Sequence, residues 1–281
     1  MLLADYHVHS AYSDDSTYTM EQVVKDAIRI NLDELCFTEH VHYGVKPDWD
    51  HPRGARFEDG HPVTNCPYPA YFDELERVRE RYGSQIRVAR GLELGVQTHT
   101  IRTYEELVRK YADRLDFTLL SIHQVSDREF WSGEFQAGRT QEQFTMAYYE
   151  ELLSVVQRFH GYSVVAHLDL IRRYDPTPDG PLPFESVQDI VAEVLKQVIA
   201  DGHGIELNTS GWRYGLGGPQ PTDDVLKLYR NLGGRIVTLG SDSHKPEHLG
   251  AYLRLGQDRL RALGFSKMCT FEQGEPHFHA L

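Results

Sequence analysis

Short apolar runs alternate with amphipathic stretches along the whole chain. Leu2–Val8, Glu34–Thr38, Ile86–Leu94, Phe117–His123, Ser163–His167, Gly204–Asn208, Arg235–Leu239 and Lys267–Phe271 have the length and apolar character of buried strands. Between them, Thr19–Ile30, Tyr71–Arg81, Tyr104–Tyr111, Gln141–Phe159, Phe184–Ala200, Asp223–Leu232 and Asp258–Leu263 read as helices, the first opened by a Thr19/Gln22 capping box. Such alternation requires mainly parallel strands, because a parallel pair needs a crossover long enough to hold a helix. Seven or eight units without a compositional break favour one closed α/β barrel over an open sheet, and 281 residues is an ordinary length for it. A single domain over residues 1–281 is expected.

Two connections, Val41–Pro69 and Gln124–Gly138, are long and rich in Gly, Pro and polar residues. Loops of that length inside a compact domain are commonly binding loops or lids. A formal net charge of −13 disfavours non-specific binding to nucleic acid or to an anionic membrane. An anionic substrate stays open, since bound cations invert the local field. Cys36, Cys66 and Cys269 are few, odd in number and far apart, which fits a reducing cytoplasm better than a disulfide framework. The N-terminal MLLADYHVHS lacks the basic start and apolar core of a signal peptide, and no apolar run approaches membrane-spanning length.

The chemistry-bearing residues gather at strand ends. The first strand leads into His7 and His9, which share a face because strand side chains repeat every two residues. Asp14 and Asp15 follow closely. Other strands end in Thr38-Glu39-His40, Gly91-Leu92-Glu93, Ser121-Ile122-His123, Ala166-His167-Leu168-Asp169 and Gly240-Ser241-Asp242-Ser243-His244. Any one of these alone reads as a satisfied histidine or a helix-capping carboxylate. Together they occupy the rim where α/β barrels build their active sites. Nitrogen and carboxylate donors without thiolate suit zinc, iron or manganese, and so many groups are more than one ion needs. Two or three divalent ions are expected.

In this order, the N-terminal HVH, then TEH, GLE, SIH, AHLD and GSDSH, the chain resembles the PHP (polymerase and histidinol phosphatase) superfamily over nearly its whole length. The resemblance implies a distorted (β/α)7 TIM-like barrel holding up to three metal ions. It implies one site from His7, His9, Glu93 and Asp242. A second would share Glu93 and add His123 and His167, and a third would use Asp15, His40 and His244. Asp14 is the alternative to Asp15. Within the superfamily, DYHVHSAYSDDS, CFTEH, AHLDLIRRY and ELNTSGWRYG are most similar to the monofunctional histidinol phosphatases.

That likeness implies phosphate contacts from Arg172 and Arg213, with Arg173 as the alternative to Arg172. It also implies hydrolysis of L-histidinol phosphate in histidine biosynthesis, with metal coordination bringing a water's pKa toward neutrality. Asp242, His244 or a metal-held water would protonate the leaving oxygen. His42, Tyr43, Asp48 and Trp131, on the long loops, are candidates to meet the substrate's ammonium and imidazole. Asp5, Glu39 and Asp169, close to ligand histidines in sequence, are candidates to orient them. Two competing readings are a PHP phosphoesterase for a nucleotide, sugar phosphate or phosphotyrosine, and a non-catalytic metal-binding scaffold.

Overall fold

Seven parallel strands follow one another around a nearly closed barrel in the computed structural model, which describes residues 1–58 and 61–281. They are β1 (Ala4–Val8), β2 (Glu34–Val41), β3 (Arg87–Gly95), β4 (Phe117–Ser121), β5 (Val164–Val165), β6 (Gly204–Asn208) and β7 (Val237–Gly240). The sheet order is the chain order, so each crossover returns the chain beside the strand it just left. The ring closes where Val8 bridges Ser243 in parallel, with the His9 N–H donating to Ser243 O at 2.8 Å. Leu35, Phe37, Leu92, Leu119, Leu207 and Val237 are fully buried, as expected of strands covered by side chains within and helices without.

The covering helices include α1 (Met20–Arg29), α2 (Tyr68–Tyr82), α3 (Ile101–Lys110), α4 (Gln141–Val156), α5 (Gln188–Ala200), the short α6 (Ser210–Arg213), α7 (Asp223–Asn231) and α8 (Leu253–Ala262). Tyrosines on two of them fasten the barrel wall: the Tyr71 hydroxyl donates to Gly91 O at 2.7 Å and the Tyr104 hydroxyl to Val41 O at 2.8 Å. Thr19 has the extended backbone of an N-cap, but its side chain makes no cap bond and Gln22 donates to Asp26 instead. The expected capping box is therefore absent there. A capping box forms at α4, between Thr140 and Gln143.

The last predicted strand is not a barrel strand. Lys267–Glu272 (β8) pairs antiparallel with Glu275–Ala280 (β9) around Gln273 and Gly274, both at positive φ, the backbone that a two-residue hairpin demands. This hairpin closes the end of the barrel opposite the strand C-termini. Phe271 packs 5.0 Å from Phe117, which meets Tyr6 edge-on at 5.0 Å, and Tyr6 donates to Phe271 O. With that end plugged, the open end is the rim where the strands finish. The register there matters: β2 and β3 place His40 directly beside Glu93.

Candidate metal centre

Glu93 is the hub of the rim. It is fully buried, and its two oxygens face different groups of histidines. Oε2 lies 2.8 Å from His40 Nδ1, 3.2 Å from His7 Nε2 and 3.5 Å from His9 Nε2. Oε1 lies 2.9 Å from His167 Nε2 and 3.2 Å from His123 Nε2, and accepts the Ser121 hydroxyl at 2.5 Å. Asp242 Oδ1 joins the first group, 3.7 Å from His7 Nε2 and 3.8 Å from His9 Nε2. A third group forms at the mouth: Asp15 Oδ2 lies 3.4 Å from His40 Nε2 and 3.2 Å from His244 Nε2. Asp14 turns away, its carboxylate held by Lys46 Nζ at 2.7 Å.

Buried polar atoms are nearly always hydrogen-bonded. Here His7 Nε2, His9 Nε2, His40 Nδ1 and Glu93 Oε2 converge, buried, with no hydrogen-bond partner among the described residues. Donor atoms that face one another without a shared hydrogen bond fit a cation between them. The triads His7/His9/Asp242, His7/Glu93/His167, His9/His40/His244 and His40/His42/His123 each bring three such atoms within 4.8 Å of one another, so the clusters can hold several ions.

The charges agree with that fit. Burial alone would raise the carboxyl of Glu93, but His7, His123 and His40 hold it well below the ordinary range. Asp242 behaves likewise through His7 and Arg173. Burial pulls His9 and His42 down, which keeps their lone pairs free. His40, against the pull of burial, is pushed up to about 10 by Asp15 and Glu93, and an arriving cation would displace that proton.

On His7 and His9 the ring nitrogen that faces away from the cluster has a partner. Glu206 Oε1 meets His7 Nδ1 at 2.8 Å, while its Oε2 accepts the His167 backbone N–H at 2.9 Å. His9 Nδ1 lies 3.2 Å from Ser13 Oγ, which donates to Glu39 at 2.6 Å. Gly240 is required here, because a Cβ would strike Glu206 Oε1 and His7 Cβ. His167 and Asp242 both take positive φ, a conformation uncommon outside glycine that gathers at functional sites. The turn at His167 also ends β5 after two residues.

The PHP domain model matches residues 5–210, well over half of the chain. The chain belongs to the PHP domain family. It is 30% identical to a histidinol-phosphatase of Lactococcus lactis, over 95% of this chain and 93% of that protein. It also superposes on the crystal structure of histidinol phosphate phosphatase from Lactococcus lactis complexed with zinc, L-histidinol and phosphate. That match has a TM-score of 0.85 at 27% identity and covers 99% of this chain and 100% of the other.

In this PHP chain the rim opens into a cavity of about 340 Å³. Asp15, His40, His42, His123, His167, Asp242 and His244 line it, with Trp131, Tyr174 and Tyr214 on its walls. Arg173 lines it as well, donating to Asp242 Oδ2, Ser210 Oγ and Gln220 Oε1 while its guanidinium stacks 4.0 Å over Tyr214. The expectation for Arg172 is corrected. Its guanidinium pairs with Asp169 at 3.3 Å and borders a separate cavity, because the tight 3-10 turn Leu170–Tyr174 sends neighbouring side chains to opposite sides. Arg213 does not line the main cavity either. It donates to the carbonyls of Ser241 and Asp242, at 3.1 and 3.0 Å, and so holds the loop that carries Asp242.

Four further expectations change in the same way. Asp5 receives the Ser241 N–H and hydroxyl and the Gly250 N–H, so it clamps backbone rather than a histidine ring. Asp169 is taken up by Arg172 and the Thr222 N–H. Tyr43 and Asp48 bond each other and Tyr68 away from the cavity. Glu206 was not singled out from the sequence. The signal available was a lone carboxylate between Ile205 and Leu207, in a run where both neighbours are fully buried.

Proposed function

We propose that this protein is a metal-dependent phosphomonoesterase that hydrolyses L-histidinol phosphate to L-histidinol and phosphate, the activity for which its Lactococcus relative is named. The observation that carries it is the split of Glu93, with Oε2 toward His7, His9 and His40 and Oε1 toward His123 and His167. A carboxylate between two sets of imidazole nitrogens suits paired divalent ions. His7, His9, Glu93 and Asp242 would hold one ion, Glu93, His123 and His167 a second, and Asp15, His40 and His244 a third. Bound there, such ions supply Lewis acidity and bring a water's pKa toward neutrality.

The chain's own groups do the rest. Arg173 offers a planar fork of donors to phosphoryl oxygens. Arg213 and Ser210 steady Asp242. Asp242, held ionised, and His244 border the cavity, where they would order the water that passes a proton to the departing alcohol. The PHP-type unit extends over residues 1–281, since the C-terminal hairpin shares the barrel's core. All three cysteines are free and buried, which supports a reducing cytoplasm, and the name of the Lactococcus relative supports a place in histidine biosynthesis. No helix among the described residues is long and apolar enough to cross a membrane.

Steady-state kinetics of the metal-loaded protein on a panel of phosphomonoesters test this. L-histidinol phosphate is expected to exceed nucleotides, sugar phosphates and phosphotyrosine in kcat/KM by about 100-fold. Comparable values across the panel would replace the substrate by another small phosphomonoester. No turnover of any, with metal bound, would leave a binding scaffold.

A further inference from the structure

The 3-10 turn that brings Arg173 to the rim cavity borders a second cavity through Arg172. This one encloses about 170 Å³ between α4, residues 175–187 and the start of α7. Ile171, Leu182, Phe184, Val187 and Val225 give it apolar walls. The loop is pinned to α4, since Gln141 Nε2 donates to Asp175 Oδ2 and to Gly180 O, both at 2.8 Å. Such a volume has room for about six waters, or for a small organic molecule.

One part of this cavity is charged and incompletely paired. Asp169, Arg172, Asp175 and Asp224 line it. Asp175 accepts from Gln141 and from the Thr177 N–H, and Asp224 pairs with Lys227 at 3.0 Å. Asp169 is 1% exposed, and its Oδ2 takes Arg172 at 3.3 Å and the Thr222 N–H at 3.0 Å. Its Oδ1 is buried with no partner among the described residues. A buried carboxylate oxygen without a donor costs free energy, so it calls for one. Arg172 uses one of its five side-chain N–H groups on Asp169 and none on any other group among the described residues.

We propose that this second cavity is a regulatory site for an apolar α-amino acid, with its ammonium on Asp169 and its carboxylate on Arg172. An ammonium supplies the donor that Asp169 Oδ1 lacks, and a carboxylate takes the unused fork of Arg172. The apolar walls bury the ligand's side chain, the usual division of labour in a small-molecule pocket. Such a ligand leaves the Asp169–Arg172 pair intact and bridges it. Both anchors belong to one turn: Asp169 is its N-cap residue, and Arg172 lies within it, one residue before Arg173. Occupancy therefore fixes Arg172 on this side and Arg173 at the rim, which tightens the hold on a phosphoryl group there. By linkage, phosphate at the rim tightens amino-acid binding by the same factor. The site goes beyond the reaction proposed above and does not depend on which alcohol leaves.

Isothermal titration of the metal-loaded protein with L-valine and L-leucine tests the site. At least one is expected to bind. Its methyl ester, which lacks the carboxylate, and its deaminated acid (isovalerate or isocaproate) should each bind about 10-fold more weakly or worse. R172M should weaken binding by a similar factor. Leu182 does not line the rim cavity, so L182W, which fills the second cavity, should abolish binding and leave basal turnover unchanged. With p-nitrophenyl phosphate as substrate, the amino acid should lower KM about 5-fold in wild type and not in L182W. Binding retained in L182W would put the amino acid elsewhere, on the metal ions for instance, and overturns the proposal. So do no binding of either amino acid, equal binding of its ester and acid, and an unchanged or raised KM. If wild-type protein turns over no phosphoester, the phosphomonoesterase reading fails by itself, and the titrations alone then judge the site.

Discussion

Glu206 accepts the Nδ1 proton of His7 at 2.8 Å and thereby turns Nε2 of that ring toward Glu93. Both side chains are fully buried, so water does not compete for that proton. A carboxylate in this role fixes the tautomer and raises the ring's basicity as a ligand. Glu206→Gln should weaken binding of one metal equivalent, and turnover with it, by roughly 10- to 100-fold. Metal titration of the stripped variant checks this. Wild-type affinity in that variant would show that His7 needs no such partner.

Arg173 and Arg172 are neighbours that border different cavities. Arg173→Ala should lower kcat/KM by about 100-fold or more, as loss of a fixed donor to developing charge does. Arg172→Ala leaves Asp169 buried without its cation and should cost about 2 kcal/mol of stability, with a much smaller effect on turnover. Kinetics and urea denaturation on both variants separate the two. A larger kinetic loss in Arg172→Ala at unchanged stability would reverse the assignment.

The strand ends were legible because six of the apolar runs stop at or just before a His, Asp or Glu, and parallel strands deliver all such ends to one rim. His7, His9, His40, Glu93, His123, His167 and Asp242 needed no more than that. The choice between Arg172 and Arg173 was not legible, since it depends on the phase of a five-residue 3-10 turn. The hairpin β8–β9 was half legible. Its first strand has an ordinary apolar pattern, but its partner is mostly exposed, so periodicity gives no sign of it. Glu206 was not legible, because a charge in mid-strand looks like surface until the sheet is known to be covered on both sides.

Chelation should destabilise the fold as well as abolish turnover. Without cations, Glu93 and Asp242 are left among histidines in a cluster from which water is nearly excluded. A ligand present at about 1,000 times its Kd stabilises by about 4 kcal/mol, and for a domain of this size that corresponds to a fall of about 10 °C in Tm on removal. Calorimetry before and after chelation, with zinc added back, measures it. An unchanged Tm would mean that the buried donors tolerate one another without an ion.

Asp116 offers a pH dependence away from the metal centre. Its carboxylate accepts from Arg79, from the Arg90 guanidinium and backbone N–H, and from the Gln273 N–H, joining α2, β3 and the turn of the hairpin. Burial pulls its pKa up, but the bonds from Arg90 pull it further down, below the ordinary 3.8. A depressed carboxyl contributes stability above its unfolded pKa and loses it as pH falls through the folded one. Asp116→Asn should therefore cost about 2 kcal/mol at pH 7, and the gap to wild type should narrow below pH 4. Acid strips metal from both proteins, so comparing their urea midpoints at pH 7 and pH 3 cancels that loss. A gap that stays constant between the two would assign the effect to packing at Asp116 rather than to its charge.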